Sequence, residues 1–142
     1  MVPYFKEEDF MVKVTEDIKK SLQAAKLAFL STATKDGTPN VVPVGALKFL
    51  DDERLLISDQ FFDKTLKNMK ENPQIALAWW SANGGFQIKG TITIHTDDEV
   101  FRKNVEWVHS IKDTLNPKSA IICKITSVYI VEGGPDAGKK IL

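Results

Sequence analysis

Cysteine is nearly absent: Cys123 stands alone among 142 residues, so no internal disulfide can form. The two histidines, His95 and His109, lie apart from it, and no HxxxH or CxxC spacing offers a metal a ready ligand set. Both imidazoles therefore read as surface or core filling, and Cys123, inside AIICKI, as a buried inert thiol. Charge of one sign is also missing. Nineteen basic residues balance nineteen acidic ones, which leaves no bulk field to recruit nucleic acid or an anionic membrane. No apolar run approaches the roughly 20 residues of a membrane span, and Met1 to Lys20 mixes acids and bases where a secretory signal needs an apolar stretch. A cytoplasmic setting is the expectation. GxGxxG, Walker A and GxSxG are all absent, so nucleotide-binding α/β folds and serine hydrolases find no support.

What is present fits one globular domain over 1–142, with 43% hydrophobic and 27% charged residues. Ile18, Leu22 and Ala25 recur at helical spacing behind Thr15, a possible cap, and predict a helix over 15–25. LAFLSTAT (27–34) predicts a strand, Lys35-Asp36-Gly37 a hairpin turn, and 40–50 a second strand. Arg54 to Asp59 is a third, completing an antiparallel meander. A short helix follows over 63–71, ended by Asn72-Pro73. Strands over 74–80 and 86–96, a helix from Asp97 to about Lys112 and a final strand over 120–131 complete the order. Six short strands point to a small barrel. The turn-rich stretch 133–138 is expected to leave the core.

With no acid–base or nucleophilic set, the chain must bind something or borrow its chemistry from a cofactor. The informative stretch is LLISDQFFDKTLKNMKENP (55–73), a strand feeding a helix start. First-turn amides lack internal partners and sit at the positive end of the helix dipole, where they hold phosphate readily. Lys64 and Thr65 would add a charge and a hydroxyl. Spacing alone favours a plainer reading, with Asp63 capping the helix and Lys64, Lys67 and Lys70 forming a solvated face.

Together with LAFLSTATKDGTPNVVPV and GGFQIKGTITIHTDD, that stretch resembles the pyridoxamine-5′-phosphate-oxidase-like split-barrel superfamily over nearly the whole chain, and within it the small FMN-binding proteins. The resemblance implies a mostly β fold, a six-stranded antiparallel split β-barrel of Greek-key type with peripheral helices. It further implies a homodimer with FMN at its interface, and redox chemistry with a donor or acceptor not readable from sequence. Residue by residue, it places Lys64 and Thr65 at the phosphate, Ile57, Ser58 and Asp59 on the strand end beside the flavin, and Val42, Pro43 and Val44 along its ring.

The chain departs from the family's oxidases at two places. Asp63 stands where they carry an arginine, and is expected to turn away and cap the helix. Asn40-Val41-Val42-Pro43-Val44-Gly45 stands where they resemble RxVLLK, without either basic residue that a phosphate-ester substrate needs. Pyridoxamine phosphate oxidation is therefore not expected. A flavin- or deazaflavin-binding module without turnover, or a barrel that has lost its cofactor and serves as an interaction domain, are the alternatives. Trp79 and Trp80 must face opposite sides of their strand, and Gln87 and Lys89 share a face away from the core.

Overall fold

The computed structural model describes residues 12–142, so the first eleven residues of the charge-mixed N-terminal stretch lie outside the described residues. Helix α1 (Glu16–Ala25) leads into strands β1 (Ala28–Ala33), β2 (Pro39–Val44), β3 (Leu47–Phe49) and β4 (Arg54–Asp59). Helix α2 (Lys64–Glu71), strands β5 (Gln74–Ser81) and β6 (Gly84–His95), helix α3 (Glu99–Ile111) and strand β7 (Ser119–Ile130) follow. All strands join one antiparallel sheet in the order β2-β1-β5-β6-β7-β4-β3.

The sheet has seven strands rather than six because the predicted second strand breaks at Gly45-Ala46. Its first half pairs with β1 and its second with β4, so the expected three-strand meander is split into two hairpins at opposite ends of the sheet. β2 and β3 are the two edges of the sheet, yet two residues join them. A flat sheet cannot place its edges that close, so this one curls into a half-barrel. Leu30, Leu55, Ile57, Leu77, Ile88, Ile121 and Ile125 fill its inside and are all but inaccessible to water. Ile18 and Leu22 of α1 join that core, while Leu56, Ala120 and Ile122 turn the other way, against α3.

Gly90 shows how tightly this interior closes. β6 carries a register shift between Lys89 and Gly90, and a Cβ built on Gly90 would lie 2.4 Å from both Cys123 Sγ and the Lys124 carbonyl oxygen. Cys123 itself is fully buried, and burial pushes its thiol from the ordinary 9.0 up to about 12. The folded thiol thus stays protonated at neutral pH and is expected not to react with a disulfide reagent until denaturant exposes it. Rapid titration of one thiol in native buffer would contradict this placement.

One local expectation is corrected. Thr15 occupies the N-cap of α1 with extended backbone, but its side chain accepts no capping bond. Residues 133–138 are exposed as expected, yet the chain then doubles back. The amides of Ile130 and Val128 donate to the carbonyls of Lys139 and Leu142, and Leu142 packs on the main core. Strand-edge carbonyls and amides at the end of β7 would otherwise be unpaired, and the returning tail satisfies them.

Candidate functional site

A cavity of about 370 Å³ opens between the C-terminal half of β2, the loop 60–63 and the start of α2. Of the eight residues assigned from sequence, six line it: Val42, Pro43, Val44, Ser58, Lys64 and Thr65. The other two stand on the same strand but face elsewhere. Ile57 is fully buried in the barrel core, and Asp59 is fully buried beneath the loop. The Asp59 carboxylate accepts from the Phe62 amide at 2.9 Å and from Ser119 Oγ at 2.8 Å, with Lys118 Nζ 3.9 Å away. These contacts fix loop 60–63, the wall of the cavity.

Alternation along β2 sends Asn40, Val42 and Val44 inward and leaves Val41 and Pro43 toward the outside. Asn40 is a site residue that the sequence reading passed over. Its amide donates to Thr65 Oγ1 at 3.0 Å and Thr32 Oγ1 at 3.2 Å, and Asn68 of α2 donates to that same Thr32 oxygen at 3.1 Å. This partly buried net ties the start of α2 to β1 and β2. The signal for it was available, since Asn40 shares the inward parity of Val42 and Val44, and Asn68 lies three residues after Thr65 on one helix face.

Asp63 is the N-cap residue of α2 but does not cap it by its side chain, contrary to expectation. Its backbone, at φ −123° and ψ −85°, lies outside the extended conformation that a capping side chain uses. The Asp63 carbonyl takes the Lys67 amide, and the first-turn amides ahead of it are left without a partner from the cap. Lys64 is the one cation among the lining residues and Asp63 the one acid. Gln60 also lines the cavity, and its Oε1 is buried with no hydrogen-bond partner.

Other candidate groups are occupied elsewhere. His95 Nδ1 lies 2.6 Å from Asp98 Oδ2, a bond that, with the Phe101 amide on the same carboxylate, holds Asp98 below the usual carboxylate range. His109 Nε2 lies 2.9 Å from the Leu115 carbonyl oxygen. Trp79 is buried and donates to Ser21 Oγ at 3.0 Å, whereas Trp80 points outward, as their adjacency requires. Gln87 is half-buried, and Lys89 is exposed with its ammonium 5.2 Å over the Tyr129 ring.

A family model described as pyridoxamine 5′-phosphate oxidase matches residues 14–132. The chain belongs to that family. An uncharacterized protein of Methanocaldococcus jannaschii is 43% identical over 136 residues, which span 94% of this chain and 91% of that one. Among solved structures, HupZ of Group A Streptococcus has a TM-score of 0.76 at 22% identity, covering 88% of this chain and 99% of that one. An FMN-binding protein from Syntrophomonas wolfei has a TM-score of 0.73 at 17% identity, covering 84% and 86%. Both likenesses establish the split-barrel fold. As a member of the pyridoxamine 5′-phosphate oxidase family, the chain puts its strand-two and helix-start segments around a single hollow.

The residues of that hollow would fit a flat ring system carrying a phosphate, as a flavin nucleotide does. Val42 and Val44, with Pro43 at the rim, offer an apolar wall for a flat ring, and Lys64, Thr65 and uncapped helix amides offer a phosphate its usual partners. The orphaned Gln60 oxygen marks a polar group whose partner is to come from a ligand or from a turned amide.

Proposed function

We propose that this protein is a flavoprotein that binds FMN in the β2–α2 cavity and acts in redox chemistry, by electron transfer or flavin-dependent reduction. The observation that carries this reading is the meeting of Val42, Val44, Ser58, Lys64 and Thr65 around one hollow at an uncapped helix start. FMN supplies hydride and electron transfer when bound. The chain's own residues then bind and orient: Lys64 and the first-turn amides take the phosphate, Thr65 is held by Asn40, and the valines keep water from one side of the ring. No basic side chain besides Lys64 lines the cavity, so a second phosphate ester such as pyridoxamine phosphate has no partner there.

The working unit in this proposal is a homodimer whose interface covers the outer face of β1, β2 and β5. Phe29, Val41 and Trp80 remain 53%, 60% and 73% exposed on it. Phe29 pairs with Pro43 and Ala78, and Trp80 lies two residues beyond Ala78, so these side chains share one face. Pro43 carries the face to the rim of the cavity. A contiguous apolar face of this kind is rarely left bare on a monomer. Trp80→Glu is expected to convert a dimer to monomer in sedimentation velocity; an unchanged coefficient would remove this face from the interface.

The binding reading is tested by titrating flavin-free protein with FMN and following fluorescence quenching. Saturation at micromolar FMN is the expected result. Preference for a deazaflavin would keep the cavity and change the cofactor. A second reading, an interaction domain without cofactor, is favoured by the Asp63 carboxylate beside Lys64, and absence of any quenching would make it the better account.

A further inference from the structure

Among the described residues, two buried side-chain atoms have no hydrogen-bond partner, Gln60 Oε1 and Asn104 Oδ1. They are the two ends of one chain. Gln60 Nε2 donates to Ser58 Oγ at 2.6 Å, and Asn104 Nδ2 donates to the same oxygen at 3.0 Å. Ser58 and Asn104 are both buried, and the Ser58 hydroxyl, receiving two donors, still has its own proton to give. The arrangement therefore holds two acceptors and one donor that want partners.

A half-turn of either amide exchanges its nitrogen and oxygen on nearly the same positions and lets Ser58 donate to the amide oxygen. Ser58 has one proton, so it can serve only one amide. If Gln60 turns, the chain runs from Asn104 N–H to Ser58 and from Ser58 O–H to Gln60 Oε1, leaving the Gln60 amide nitrogen as the free end. If Asn104 turns, the chain runs the other way and the free end of Gln60 is an oxygen. The polarity that Gln60 offers is thus set from both ends of the chain.

At the far end, Asn104 lines a second hollow together with Lys48, Arg54 and Lys103. Arg54 is paired with Asp51, and Lys48 rests 4.5 Å over the Trp107 ring, yet the hollow keeps an excess of positive charge. An amide oxygen is stabilised there and an amide N–H₂ is opposed. This favours the first arrangement, with the Gln60 amide nitrogen free at the β2–α2 cavity that Gln60 and Ser58 line.

We infer that Gln60 presents an N–H donor to the ligand of that cavity, and that Asn104 of α3, acting through Ser58, is the positioning residue that holds it so. The inference rests on the flavin reading and deepens it: the edge of an oxidised flavin ring carries several carbonyl and ring-nitrogen acceptors against a single N–H donor, so a donor side chain has more places to bind there than an amide oxygen. Nothing in the side chain of Asn104 needs to touch the ligand.

The test is Asn104→Asp. A carboxylate offers only acceptors, so Ser58 must donate to it, Gln60 must donate to Ser58, and the Gln60 oxygen is left at the cavity. The expected result is a weakening of FMN binding by about tenfold, the worth of one reversed hydrogen bond, with a shift of the visible bands of the bound flavin. The same substitution in a Gln60→Leu background is expected to change neither. Wild-type affinity and spectrum in Asn104→Asp, or an equal loss in the Gln60→Leu background, would overturn the inference. Thermal unfolding reports whether the variants fold; should Asn104→Asp not fold, Gln60→Glu puts acceptors at the cavity directly, with the same tenfold loss expected and wild-type affinity overturning the inference. A wild-type protein that binds no FMN overturns the flavin reading itself and this inference with it.

Discussion

Lys64→Glu is expected to raise the dissociation constant for FMN about 100-fold, with the fold intact. A charge-assisted bond to phosphate is worth roughly 1.5–3 kcal/mol, and reversing the charge adds repulsion to its loss, so about 3 kcal/mol, or two decades, follows. The effect is this large because Lys64 has no cationic understudy among the lining residues, while Asp63 already places one negative charge at the same helix start. The helix should survive, since Lys64 is exposed and α2 is anchored by buried Thr65, Asn68 and Met69. Isothermal titration of flavin-free protein measures it. Wild-type affinity in Lys64→Glu would mean that the phosphate, and with it the ring, lies elsewhere.

Gly90→Ala is expected to cost about 3 kcal/mol of stability, at the upper end for forcing one extra carbon into a packed interior. A new Cβ would meet the Lys124 carbonyl at 2.4 Å, and backbone cannot swing aside as a side-chain tip can. Cys123 Sγ, at the same distance, is hemmed in by its own burial. With a urea slope of about 2 kcal/mol/M for a chain of this size, the midpoint should fall by about 1.5 M when unfolding is followed by tryptophan fluorescence. An unchanged midpoint would show that β6 and β7 separate at the register shift without penalty.

These two positions also show what could and could not be read beforehand. Lys64 and Thr65 were legible because a strand feeding a short helix is a local pattern, and the structure puts both on the cavity. Gly90 sat at an apolar parity of its strand, but nothing local says that it faces Cys123 across a register shift, since that contact joins residues far apart in sequence. Burial of Ile57 and Asp59 was missed for a related reason. β4 is covered on both sides, by the barrel core and by α3, so alternation does not separate its ligand face from its packing face.

Asn104 makes the point from the helix side. Val100, Phe101 and Val108 mark the inward face of α3, and residue 104 lies on the same row, but a polar residue there reads as a break in the pattern until its bond to Ser58 is seen. The extra strand arose from chemistry that sequence does show, Gly45-Ala46 within an otherwise β-rich run. What it does not show is that the two halves belong to opposite edges of a curled sheet.

The visible absorption spectrum of the purified protein, with mass spectrometry of whatever heat releases from it, tests the central claim most directly. The account predicts the two bands of an oxidised flavin and a released mass equal to FMN. A colourless protein that stays colourless when FMN is added would contradict it, leaving the split barrel in place and the flavin function wrong.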